Sequence, residues 1–197
     1  MIQEDDLISQ LIVLYSEMDS AYRDAASQGG FGCQGCDGAS CCTVDLRIHT
    51  YTEMAYLIRG LDELPLGLAR EVKERARQMV LAKARSHHDS EYRNAVCALN
   101  FKGLCTMYEH RPMICRLAGI PYIATRPDTT NIRGSGCRRF EEEVAPSNPD
   151  LVLDRSYFYK RMSEIELGVV KFRGCKTPVY TIAEIINNWI YSCGSIK

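Results

Sequence analysis

Apolar residues recur every three to four positions at the start of the chain, at Leu7, Ile8, Leu11, Ile12, Tyr15, Met18, Tyr22 and Ala25. That spacing predicts one amphipathic scaffold helix over residues 4–28. Glu4, Asp5 and Asp6 suit its positive N-terminus, and Gly29 and Gly30 end it. Val44, Leu46 and Ile48 alternate with Asp45 and Arg47, which predicts a short strand. Thr50 and Glu53 stand at capping-box spacing and open a helix carried by Met54, Leu57, Ile58 and Leu61, as far as Gly60 or shortly beyond. Pro65 suits the first turn of the next helix. Its apolar face is Leu68, Val72, Met79 and Val80, and its wet face Arg70, Lys73, Glu74, Arg75 and Arg77.

The pattern fades over residues 121–136, where Pro121, Pro127, Gly134 and Gly136 predict a loop. Asn148-Pro149-Asp150 then signals a helix start, with helix to about Phe172 and Gly168 as a candidate break. Thr181 and Glu184 form a second capping box. It opens a stripe of Ile182, Ile185, Ile186, Trp189 and Ile190 that stops at Gly194. The expected fold is mainly α: a single domain over residues 1–197, helices around a cysteine-rich metal site in loops, with one or two short strands. The metal-binding core covers about residues 30–140, with the N-terminal helix 4–28 and C-terminal helices at about 149–192 packed on it.

Composition narrows the function. An apolar share of 46% in 197 residues supports a core without staples. Lysine plus arginine (24) nearly balance aspartate plus glutamate (25), so no global field attracts nucleic acid or an anionic membrane. Glu71 and Glu74 interrupt the basic run of 70–77, which reads as a solvated helix face. No apolar run approaches the ~20 residues a membrane-spanning helix needs. The start Met-Ile-Gln-Glu-Asp-Asp is acidic where a secretion signal is basic. A soluble cytoplasmic protein with neither nucleic-acid nor membrane partners is therefore expected. In a reducing cytosol its ten cysteines point to metal or redox chemistry rather than disulfides.

Their spacing supports metal. Cys33-Gln34-Gly35-Cys36 is a C-x2-C turn whose glycine permits both thiolates to converge on one ion. Cys41 and Cys42 follow within a few residues, and neighbouring side chains of an extended backbone point to opposite sides. The pair can serve two ions, serve one polynuclear centre, or divide into one ligand and one packed thiol. Cys97, Cys105, Cys115 and Cys137 match the first four in number. Eight thiolates suit two four-cysteine sites, two cubane clusters, or a cluster plus an ion. A divalent ion with four thiolates carries about −2 by simple counting. Arg111, Arg116, Arg138 and Arg139 neighbour the candidate ligands and are either counter-charges that hydrogen-bond sulfur or ordinary surface arginines. Cys175 and Cys193 read as non-ligands. His110 is the histidine nearest the cluster, though more a polar surface residue than a ligand, and His49, His87 and His88 rank lower.

Cys33-x2-Cys36-x4-Cys41-Cys42, then Cys97, then Cys105-x2-Tyr108-Glu109-x-Arg111-Pro112-x2-Cys115-Arg116 resembles the cysteine-cluster (CxxCxxCC, YkgJ-like) family of zinc- or iron-chelating proteins, over about residues 30–140. The resemblance implies metal or iron–sulfur binding by the matching cysteines and no known reaction. Flagellin lysine methylases look similar in this region, which adds a metal-dependent modifying activity as an alternative. The chain departs from the family in placing four residues between Cys36 and Cys41.

Arg111-Pro112 is expected to start a short helix presenting Cys115 and Arg116, with Tyr108 and Glu109 holding the turn. Tyr108, Glu109, Arg111 and Arg116 thus join the cofactor side of the site. No glycine-rich phosphate loop, Ser-His-Asp order or zinc-protease helix is present, and no catalytic residue is assigned. Three functions fit: an iron–sulfur protein, for example with a 4Fe-4S cluster, in electron transfer or redox chemistry; a zinc-organised binding module; and a metal-dependent modifying enzyme. Iron and zinc both accept four thiolates, and family usage inclines towards iron–sulfur. Any redox or protein partner is unspecified.

Overall fold

The computed structural model describes residues 4–32, 42, 46–85, 96–126, 130–174 and 179–188. In chain order its first elements are α1 (Glu4–Gln28), β1 (Arg47–Ile48), α2 (Tyr51–Glu63), α3 (Leu66–Arg85), β2 (Asn100–Phe101), β3 (Leu104–Cys105) and a 3-10 turn at Tyr108–His110. There follow α4 (Met113–Arg116), β4 (Tyr122–Thr125), β5 (Asn131–Gly134), α5 (Arg138–Glu143), β6 (Leu153–Asp154), α6 (Ser156–Arg173), β7 (Tyr180–Thr181) and α7 (Ile182–Asn188). The fold is mainly helical, as the periodicity indicates. Short strands are more numerous than the one or two expected, forming three small sheets among the described residues. Among those residues no helix is long and apolar enough to cross a membrane.

Two compact units interleave in sequence: residues 1–36 with 113–172, and residues 37–112 with 173–197. In the first unit α1 buries Leu7, Ile8, Leu11, Leu14, Tyr15, Met18, Ala25 and Ala26. Ile12, placed on that stripe by its spacing, is 46% exposed. The buried set follows a 7–11–14–18–25 seam, and Ile12 falls on its flank. Gly30 closes the helix at φ +60, a value that favours glycine.

The stretch 121–136, expected as a loop, holds a β-hairpin. β4 and β5 run antiparallel with Tyr122 opposite Gly134, and β6 adds in parallel on the other side of β4. Tyr122, Ile123, Thr125 and Ile132 are good strand formers, and the prolines flank the strands instead of interrupting them. Pairing of β6 also delays the following helix beyond Pro149. Helix α6 starts at Ser156, whose N–H (2.9 Å) and hydroxyl (2.6 Å) both donate to the Asp154 carboxylate. Gly168 does not break α6. A Cβ there would stand 3.1 Å from Leu7 Cδ2, so glycine marks the close approach of α1.

The second unit packs α3 and α2 against α7, with β1 antiparallel to β7. Met54, Leu57, Ile58 and Leu61 are buried as expected, as are Ile182, Ile185 and Ile186. On α3 only Val72 and Ala76 are fully buried, while Leu68, Met79 and Val80 are half-buried. Val44, Trp189 and Ile190 lie outside the described residues.

The two capping boxes differ. Thr50 precedes α2 without a side-chain cap, and its hydroxyl donates to the buried Glu53 carboxylate at 2.7 Å. At α7 the box is complete: Thr181 Oγ1 accepts the Glu184 N–H (3.1 Å) and Glu184 Oε2 accepts the Thr181 N–H (2.8 Å). Lys83 Nζ reaches Glu184 Oε1 at 3.0 Å. Burial acts to raise the Glu184 pKa, but the Thr181 and Lys83 hydrogen bonds and the Lys83 charge outweigh it and hold the carboxyl below its ordinary value. A depressed folded-state pKa gives stability that is present above the unfolded value of about 4.3 and lost as pH falls through the folded one. Glu184→Gln keeps a capping-box acceptor but loses the carboxylate charge that meets Lys83, and is expected to remove up to about 1 kcal/mol at neutral pH. As pH falls below the depressed folded-state pKa, its stability should converge with wild type. Urea melts across that range check this, and parallel curves at all pH values would contradict a contribution from the Glu184 charge.

Candidate metal centre

In the second unit, Cys42, Cys97 and Cys105 come together from segments far apart in sequence. All three are half-buried thiols. The Cys97 N–H donates to the Cys42 carbonyl at 2.6 Å, which fastens Cys42 to the Cys97 turn. From there a hairpin carries the chain to Cys105, with Asn100 opposite Cys105 and Phe101 opposite Leu104. Its two connecting residues, Lys102 (φ 53) and Gly103 (φ 84), both have positive φ, as a type I′ turn requires. Asn100 Oδ1 accepts the Gly103 N–H at 2.9 Å and secures the turn.

Both hairpin sulfurs already act as acceptors. Cys97 takes a backbone hydrogen bond from Leu99 and Cys105 one from Met107, each two residues on. Burial pushes the Cys97 thiol up to about 12; the Leu99 N–H opposes this, the neighbouring Cys105 and Cys42 add to it, and Arg75 opposes it. Burial likewise raises Cys105, against the Met107 N–H and Arg111 and with Cys42. At neutral pH the metal-free thiols are therefore protonated, and an incoming cation must displace the protons.

Two cations lie within electrostatic reach of these sulfurs, Arg75 of Cys97 and Arg111 of Cys105. Arg111 is held by Tyr108, whose carbonyl accepts from Nε at 2.8 Å and whose ring centroid lies 3.4 Å below the guanidinium. Arg75 reaches from α3, donating to the Asn100 carbonyl at 2.6 Å and covering the Phe101 ring at 4.4 Å. The sequence reading puts Arg75 on the wet face of α3. Its position between Val72 and Ala76, the two buried residues of that helix, is the signal that marks it as inward-facing.

In the first unit, α4 begins just after Pro112 as expected, with Cys115 in it. Cys137 precedes α5 as its N-cap residue, and its N–H donates to the Gly119 carbonyl at 2.9 Å. Both are half-buried thiols. Arg116 is buried and turns to α1, 2.5 Å from Asp19 and 4.0 Å over the Tyr15 ring. Arg138 is exposed and pairs with Glu142 at 3.8 Å. Arg139 pairs with Glu143 at 2.9 Å and donates to the carbonyl of Gly32, the residue before Cys33, at 3.0 Å.

Cys33, Cys36, Cys41, Cys175, Cys193, His87 and His88 lie outside the described residues. His110 packs on α2, with its ring 4.5 Å from that of Tyr56 and Nε2 3.6 Å from Glu63. Tyr108 is exposed. Among the described residues, no three Cys, His, Asp or Glu side chains form a group that could hold a metal ion. The three thiols of the second unit share an electrostatic neighbourhood without closing around an ion. Their chemistry, soft donors that accept peptide N–H groups and have arginines within electrostatic reach, fits a thiolate-bound metal. No protein-family model, curated protein or solved structure matches the chain.

Proposed function

We propose that this is a cytoplasmic metal-binding protein that holds an iron–sulfur cluster or clusters through its clustered cysteine thiolates and serves in electron transfer or redox chemistry. The observation that carries the reading is the environment of Cys97 and Cys105. Each sulfur accepts a peptide N–H, each has an arginine within electrostatic reach, and Cys42 is beside both. Thiols kept only for packing need neither donors nor cations, whereas both help to stabilise and tune a metal thiolate. The remaining ligands are Cys33, Cys36, Cys41, Cys115 and Cys137, and membership of the YkgJ-like cysteine-cluster family is part of the same proposal.

A bound cluster would supply a one-electron redox couple. The chain would contribute the peptide N–H groups that stabilise sulfur-centred charge, and Arg75 and Arg111 would offset the anionic ligands. Anaerobic purification followed by iron, zinc and sulfide analysis with a visible spectrum tests this. Brown protein with acid-labile sulfide is expected. Colourless protein with stoichiometric zinc would instead support a zinc-organised module. Neither metal nor sulfide, with all ten thiols reactive in the folded chain, would sink the proposal.

Arg75→Gln and Arg111→Ala are each expected to weaken metal retention about 10–100-fold without removing a ligand. Competition with a graded series of chelators measures this, and unchanged retention in both variants would remove the arginines from the centre.

A further inference from the structure

Gly60 stands inside α2, where alanine ordinarily gives the more stable helix. The turn packed against it explains the glycine. A Cβ at this position would collide with His110 Cγ and stand 2.7 Å from both His110 Nδ1 and Met107 Cε. Tyr56, Gly60 and Glu63 follow one another at helical spacing on one face of α2. The His110 ring lies over the glycine, 4.5 Å from the Tyr56 ring and with Nε2 3.6 Å from Glu63. Its side chain is only 13% exposed. Helix α2 therefore offers a notch with glycine as its floor, and the imidazole fills it. Met107 Cε is the far end of a flexible side chain and can give way, but a ring flanked on both sides cannot.

The notch holds the 3-10 turn at Tyr108–His110, with Met107 just before it. The His110 N–H donates to the Met107 carbonyl at 3.0 Å. Hydrogen bonds of such turns are poorer than those of an α-helix, so docking on α2 decides where the turn lies. The same turn carries both groups that attend Cys105. Met107 gives the backbone hydrogen bond to the sulfur, and Arg111, within electrostatic reach of it, is fixed by the Tyr108 carbonyl and ring. Cys97 is served differently, by Leu99 and by Arg75 of α3. Displacing His110 would thus strip one thiol of its partners and spare those of the other.

We propose that Gly60 and His110 are positioning residues of the metal centre: the ring seated over the glycine holds the Met107 N–H on the Cys105 sulfur and Arg111 within reach of it. His110 thereby serves the centre without being a ligand. The consequence for metal rests on the metal-thiolate reading above, whereas the seat itself rests on the packing alone.

The test compares the full chain, as purified, as wild type, Gly60→Ala, His110→Ala and the double variant. Hydrogen–deuterium exchange resolved to single amides reads the Met107 N–H, with the Leu99 N–H as internal reference. In Gly60→Ala, Met107 should exchange several-fold faster while Leu99 keeps its rate. His110→Ala should also speed Met107, and adding Gly60→Ala to it should change nothing more, because the ring is gone. Metal retention, by chelator competition, should fall about 10-fold in Gly60→Ala and be equal in His110→Ala and the double variant. Unchanged Met107 exchange in both single variants overturns the proposal. Met107 and Leu99 accelerating together reduces the contact to general helix packing and overturns the positioning role. A methyl as disruptive in the His110→Ala background as in wild type overturns the seat. If Gly60→Ala does not fold, Met107 against Leu99 in His110→Ala decides the matter. Faster Met107 exchange with metal retention intact upholds the seat and overturns its service to the metal. Wild type without metal or sulfide overturns the metal-thiolate reading, and the exchange rates still decide the seat.

Discussion

Cys97→Ser is expected to strip the protein of most of its metal and to lower the stability of the second unit by several kcal/mol. Structural four-ligand zinc sites contribute on the order of 10–16 kcal/mol of apparent binding free energy at neutral pH, and that energy is folding energy wherever the site does not exist in the unfolded chain. Serine keeps the shape of Cys97 and its backbone bond to Cys42, so the hairpin can still form. It cannot present an ionised sulfur to the Leu99 N–H or to Arg75. The change therefore separates ligand loss from backbone damage. Metal and sulfide content per chain, with thermal melts before and after chelation, gives the readout. Wild type should lose stability on chelation and Cys97→Ser should hardly respond. Full metal content in Cys97→Ser would exclude Cys97 as a ligand.

The second large effect concerns Arg116, whose place in the Arg-Pro-x-x-Cys-Arg motif marks it for the cofactor side. Its side chain is 3% exposed and bonded to Asp19, which is 34% exposed. Breaking a buried pair by removing one partner costs about 3–5 kcal/mol, because the other charge is left behind. Asp19 keeps some access to water, so Arg116→Met is expected near the lower end, about 3 kcal/mol. Asp19→Asn added to Arg116→Met should recover part of the loss, and a urea-melt double-mutant cycle gives the coupling. Metal content of folded Arg116→Met should stay at the wild-type level. A loss of metal with stability intact would return Arg116 to the centre.

These two residues illustrate how differently parts of the molecule can be read. Cys97 could be recognised as a metal-site candidate because thiol chemistry restricts what a clustered cysteine can do. Arg116 could not be placed, since an arginine beside a ligand in sequence can turn towards the sulfur or towards a neighbouring helix, and Asp19 is 97 residues away. Arg75 carries the same lesson from the other side. It belongs to no motif and acquires its partners through contacts distant in the chain.

Secondary structure shows the same division. Helices α1, α2 and α7 were legible because periodic burial and caps are local properties of ten to twenty residues. The β4–β5 hairpin and the late start of α6 were not, because strands of two to four residues derive their stability from pairing partners instead of their own pattern.

The amino-acid order thus sets the helical class, the balanced charge and the eight thiols that define the candidate chemistry. Folding selects which of them meet: Cys42, Cys97 and Cys105 come together in one unit. It also selects which arginines answer them. Composition and periodicity are sums over neighbours along the chain, whereas a counter-charge is a matter of a few ångströms between residues that sequence distance does not relate.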